Sequence, residues 1–119
     1  MTDRRRDLGD AGEALVARWY AAGGYTVLDR NWRCREGELD LVVGAPGLLV
    51  FCEVKTRRGA AFGAPFEAVT VAKQRRIRGL AARWLAEQGM RARQVRFDVA
   101  SVTAPAGNAP TVDVIEGAF

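Results

Sequence analysis

A chain of 119 residues, 49% apolar and 27% charged, suits a single globular domain over residues 1–119 and excludes a disordered tail. Eighteen Lys and Arg against fourteen Asp and Glu leave a net charge of +4 and a pI of about 9.7, a modest basic excess that fits a polyanionic partner and equally a plain solvated surface. The absence of histidine rules out a His general base and a Ser-His-Asp triad, and two cysteines with no CxxC pair cannot build a zinc site, so acid–base chemistry falls to Asp, Glu, Lys, Tyr or a metal-activated water.

The N-terminal MTDRRRDLGDAGEALV has no hydrophobic signal core, and no run reaches the roughly 18 apolar residues of a membrane span. The expected location is cytoplasmic, with no membrane partner. Arg6 to Ala22 reads as a helix, with Leu8, Ala11, Leu15, Trp19 and Ala22 forming its apolar stripe and Gly23-Gly24 its stop. YTVLDRNWRCR follows as a first strand with poor alternation. Glu38 to Val43 is a second strand, with Glu38, Asp40 and Val42 on one face and Leu39, Leu41 and Val43 on the other. Leu48 to Thr56 is a third, with Leu49, Phe51, Glu53 and Lys55 on one face and Val50, Cys52 and Val54 on the other. Apolar residues on both faces mark it as a central, covered strand.

RRGAAFGAPFEAV reads as a Gly/Ala/Pro loop. A second helix runs from about Thr70 to Gln88, burying Ile77, Leu80, Ala81 and Trp84, with Gly89 as its stop. RQVRFDVASV is a further strand in which Arg96 and Asp98 alternate outward, and TVDVIEGAF supplies a short edge strand after APAGNAP. The order predicts an α/β or α+β sheet with helices packed on it. Trp19, Trp32 and Trp84 read as core or near-core rings, and Tyr20 and Tyr25 carry no particular signal.

The second and third strands raise a chemical question. Pro46-Gly47 suits a turn, and a loop of two residues or of four (Ala45 to Leu48, the expected version) sets Asp40 directly opposite Glu53. A three-residue loop would slip the register and part the two carboxylates. Opposed carboxylates repel unless something positive lies between them. Lys55 shares the face and is one candidate. A hard divalent cation, held by Asp40, Glu53, the Val54 carbonyl and water, is the other. The plain alternative is a surface charge pair, but Asp40 lies within the run LDLVV and Glu53 follows LLVF, runs that look buried, where a charge must be paired or metal-bound.

GELDLV, VFCEVKTRR, FGAPFEAVTVAKQRRI and RFDVASV together resemble the YraN family of small bacterial proteins, placed in the PD-(D/E)XK nuclease superfamily near Holliday-junction resolvases. The resemblance runs from LGDAGEALVARWY to RFDVASV. Its most specific part is Asp40 followed, thirteen residues on, by Glu53-Val54-Lys55. Leu39 stands where the superfamily has Pro. The resemblance implies a restriction-endonuclease-like fold, a mixed β-sheet flanked by α-helices. It implies Asp40 and Glu53 as metal ligands, Lys55 as the catalytic lysine, and Glu13 as the acid of the first helix. Gln74 matches a polar residue on the helix after the motif. Periodicity alone makes Glu13 a solvated residue off the helix stripe.

The function so implied is Mg²⁺- or Mn²⁺-dependent endonucleolytic cleavage of DNA, branched or junction DNA included. The alternative is a nucleic-acid-binding or adaptor protein of the same fold with little turnover. Arg57, Arg58, Lys73 and Gln74 are the candidate nucleic-acid contacts, the last two near a helix N-terminus that favours anions. For Lys73 and Gln74 the competing reading is stems that cover the core. Arg75, Arg76 and Arg78 extend the rim, and Arg4 to Arg6 form a basic terminus. Asp98 reads as a structural partner for an arginine. Cutting two strands symmetrically would need a homodimer.

Overall fold

The computed structural model describes the backbone of residues 4–58, 69–104 and 107–119, and the side chains of residues 11–57, 69–104 and 107–119. The expected Gly/Ala/Pro loop falls largely on 59–68, outside the described residues, as do the side chains of Arg4 to Arg6 and of Arg58. Helix α1 (Arg4–Ala22) leads into β1 (Thr26–Cys34), β2 (Gly37–Ala45) and β3 (Leu48–Arg58). Helix α2 (Val71–Gln88), β4 (Gln94–Ala104) and β5 (Thr111–Ile115) complete the order.

The five strands form one sheet in chain order, antiparallel except for the β3–β4 pair. This is the α/β, restriction-endonuclease-like arrangement, a mixed sheet with a helix on each face. Parallel pairing of β3 with β4 requires a crossover, and α2 supplies it. Thr70 caps α2, its hydroxyl accepting the Lys73 N–H at 3.1 Å, and Gly89 closes the far end. Among the described residues no helix is long and apolar enough to cross a membrane.

Two cores follow from the alternation of the central strands. Val42, Leu49, Phe51, Phe97 and Val99 meet Ile77, Leu80, Ala81 and Trp84 of α2. Leu41, Val43, Val50, Cys52, Ala100 and Val102 meet Val16, Ala17 and Tyr20 of α1. Leu39 departs from the expected face and joins the α2-side core with Trp32. Its strand neighbourhood is irregular: β1 bulges between Val27 and Asp29, and Asn31 takes φ 53°.

Helix α1 is turned by one residue, about 100°, from the expected stripe. Ala11, Trp19 and Ala22 are exposed, Trp19 at 40%, while Gly12, Glu13, Val16, Ala17 and Tyr20 are buried. The cause is a close approach. A Cβ on Gly12 would lie 2.1 Å from the Thr56 hydroxyl, so only glycine lets α1 settle this near β3. Asp98 also differs from expectation. It is 0% exposed, because β4 is covered on both sides and has no outward face. Its carboxylate accepts from the Tyr20 hydroxyl (2.6 Å), from Arg96 Nε (2.8 Å) and from the Gly117 N–H (2.9 Å). It is thus the arginine partner the sequence suggests, and it also ties the C-terminal turn to α1.

Candidate active site

The β2–β3 turn is the tight one, Pro46-Gly47, with Ala45 paired to Leu48. Proline at the first turn position and φ 74° at Gly47 give the pattern of a type II turn. From there the ladder runs to Leu41–Cys52, and Asp40 and Glu53 are the next residues on each strand, as the hairpin register requires. Beyond this point the strands stop pairing. The Val54 N–H donates instead to Asp40 Oδ2 at 2.9 Å. On the other flank, Asn31 stands opposite Asp40 and drops out of the β1–β2 ladder. Asp40 therefore sits where both neighbouring strands release it.

Asp40 is only 9% exposed and, with Glu38 and Glu53, lines a cavity of about 250 Å³ roofed by Lys73, Arg76 and Leu80 of α2. Burial pushes its carboxyl up to about 8, helped by the charges of Glu53, Glu13 and Glu38 and opposed by the Val54 N–H. Lys73 Nζ lies 2.7 Å from Glu53 Oε1, so helix α2 brings a counter-charge to the pair of acids. Lys73 is partly exposed and spends its ammonium on Glu53, which is more than covering the core. Gln74 Nε2 donates to the Val69 carbonyl at 2.9 Å and so braces the start of α2.

Lys55 and Arg57 follow Glu53 on the same face of β3 by alternation, and both are half-buried. Arg58 ends β3, its side chain outside the described residues. Glu13 is 8% exposed on α1, inside the buried face and not solvated, and its charge acts on Asp40. Once α1 is turned by the Gly12 contact, Glu13 shares a face with Val16, Ala17 and Tyr20. Arg78 leaves the expected rim, lying 4.7 Å from the Phe97 ring and 5.5 Å from Phe119.

The donor set suits a hard cation. Two carboxylate oxygens at the edge of a polar cavity, already neutralised on one side by an ammonium, are the ligands Mg²⁺ or Mn²⁺ takes when it keeps several waters. Among the described residues no three or more Asp, Glu, Cys or His side chains close on one point, so the remaining ligands would be backbone and water. Cys52 is no competitor, since burial pushes its thiol up and away from the thiolate. A larger cavity of about 460 Å³ lies at the hairpin turn beside Leu28 and Met90, remote from these carboxylates.

The model of the uncharacterised protein family UPF0102 matches residues 12–102, a span that holds Glu13, Asp40, Glu53 and Lys55. The chain belongs to this family, the YraN family. It is 54% identical to a UPF0102 protein of Frankia alni over 120 residues, all of both chains. It is 56% identical to one of Frankia casuarinae over 94% of this chain and 95% of the relative. With one of Nocardia farcinica it shares 49% over 97% and 91%.

One residue in this family member escaped the sequence reading. Ser101 of β4 stands opposite Lys55 in the parallel register and therefore shares its face. Its buried hydroxyl has no hydrogen-bond partner among the described residues. Only the β3–β4 pairing could have found it, and strand periodicity within one segment does not reveal a partner register.

Proposed function

We propose that this protein is a metal-dependent endonuclease that hydrolyses phosphodiester bonds of DNA. The observation that carries the reading is the pair of carboxylates, buried Asp40 and partly buried Glu53, lining one cavity with Lys55 two residues beyond. Asp40 and Glu53 would hold Mg²⁺ or Mn²⁺, with the Val54 carbonyl available beside them. When bound, such an ion supplies a Lewis acid for the phosphate and for the attacking water.

The chain's own residues do the rest. Val54 fixes the Asp40 carboxylate by its N–H. Lys73 holds Glu53 in place and offers its ammonium to an incoming phosphate. Lys55 orients the attacking water or offsets the charge that builds on the phosphate. Glu13 adds negative charge on the α1 side of Asp40, which strengthens the preference for a cation. Arg57, Arg58, Lys73 and Gln74 are the proposed contacts to the nucleic-acid backbone. Cleavage of both strands of a duplex or junction would take two copies.

The test is cleavage of labelled single-stranded, duplex, flap and four-way-junction DNA by pure protein with Mg²⁺, Mn²⁺ or EDTA. Cutting that needs metal and is lost in Asp40→Ala, Glu53→Ala and Lys55→Ala supports the reading. Cutting that survives in all three sinks it, and binding without cutting favours an adaptor.

A further inference from the structure

Helix α2 carries a charge pattern that its own stability does not explain. Lys73, Arg75, Arg76, Arg78 and Arg83 stand against one acid, Glu87, a net +4 that matches the whole chain's excess. Its first turn holds no acid, although the positive end of a helix dipole favours anions and disfavours the cations placed there. Two of the five are committed elsewhere, Lys73 to Glu53 and Arg78 to the Phe97 and Phe119 rings. Arg75 and Arg76 are exposed and, with Arg83, Gly79, Leu80 and Glu36, line a groove of about 300 Å³.

Gly79 sits at the centre of this groove. Packing does not demand a glycine, since a Cβ there would meet nothing within 4 Å, and glycine weakens a helix interior. What it provides is a bare stretch of helix with Arg75 one turn before and Arg83 one turn after. The groove shares Arg76 and Leu80 with the Asp40–Glu53 cavity, so the two are adjacent. Lys73 to Arg83 covers about 15 Å at about 1.5 Å per residue, the axial length of roughly four steps of one DNA strand.

We propose that the Arg75–Gly79–Arg83 groove takes the phosphate backbone of the nucleic acid as it leaves the Asp40–Glu53 pocket. The inference rests on the nuclease reading for its ligand. Glu36 is the groove's internal competitor. Its carboxylate accepts from Arg83 Nη1, and both side chains are largely solvated, so an incoming phosphate displaces the pair at little cost.

The test is fluorescence anisotropy of labelled duplex and single-stranded DNA with the full chain in EDTA, where neither metal nor turnover contributes. Arg75→Ala/Arg83→Ala and Gly79→Glu are expected to weaken binding roughly tenfold or more, and the arginine pair to lower the salt slope by about two. Glu36→Gln is expected to tighten binding. Arg91→Ala, at the opposite end of the fold, serves as the control and stays at wild-type affinity. Gly79→Glu adds a good helix former, so its thermal melt reports folding separately. Wild-type affinity in the groove variants, or an equal loss in Arg91→Ala, overturns the groove while leaving the nuclease reading intact. A wild-type chain that binds no nucleic acid overturns both.

Discussion

Lys73 on the first turn of α2 and Glu53 on β3 form an ion pair of 2.7 Å, which brings a helix cation onto the carboxylate that faces Asp40. The pair lets two acids share one cavity. In Lys73→Ala, Glu53 loses that counter-charge beside Asp40. Because the lysine is partly exposed, the cost sits below that of a fully buried pair, about 1–3 kcal/mol. Urea unfolding in EDTA measures it. The same variant should bind Mn²⁺ more tightly than wild type, since a competing cation is gone; unchanged stability and unchanged affinity together would mean that the pair is incidental.

The carboxyl of Asp40 makes cation-free stability depend on pH. Its folded value, raised to about 8 by burial and by Glu53, lies above its unfolded value, so the native state holds the proton more tightly. Its contribution is complete below the unfolded value near pH 4 and is lost as pH rises through about 8, at up to about 1.4 kcal/mol per pH unit. Asp40→Asn removes this dependence. Melting curves in EDTA should show the variant gaining on wild type between about pH 4 and pH 8. A gap that stays flat over this range contradicts the assignment.

Gly12 and Thr56 set the height of α1 above the sheet. Alanine normally stabilises a helix interior over glycine by about 1 kcal/mol. Here its Cβ would strike the Thr56 hydroxyl, and Gly12→Ala should instead destabilise by about 1–3 kcal/mol. Thr56→Ala should restore part of this, since the Thr56 Cβ itself would still be 3.2 Å away. A double-mutant cycle with no coupling would remove the close approach as the reason for the turned helix.

That turned helix shows where the sequence was readable and where it was not. The Asp40–Glu53 juxtaposition was legible because strand alternation and one Pro-Gly turn determine it together, and loops of two or four residues share the same pairing sum. The turn itself is the shorter one, since proline followed by a left-handed glycine closes it in two residues. The α1 face was misread because its largest apolar residues, Leu15 and Trp19, flank the contact, while a glycine, an acid and a hydrogen-bonded tyrosine fill it. No hydrophobic pattern encodes a close approach. Asp98 was misread for a related reason: charge suggested an outward side chain, and the donors that satisfy it come from α1, β4 and the C-terminal turn.

The Asp98 cluster holds the fold on the α1 side of the sheet, the face opposite the acidic cavity under α2. Asp98→Asn leaves Arg96 facing an amide in place of a carboxylate, at an expected cost of about 3–5 kcal/mol. Tyr20→Phe removes one neutral donor and should cost about 1–3 kcal/mol. Chemical denaturation gives both values. Mn²⁺ affinity of the folded Tyr20→Phe protein should match wild type, and a large loss there would mean that the two regions are coupled.

The most direct measurement is Mn²⁺ binding to the pure protein by isothermal titration, with Asp40→Asn beside wild type. One ion per wild-type chain, with binding lost in the variant, is the expected result. No binding by wild type, or equal binding by Asp40→Asn, would contradict the claim that Asp40 and Glu53 together hold a divalent cation.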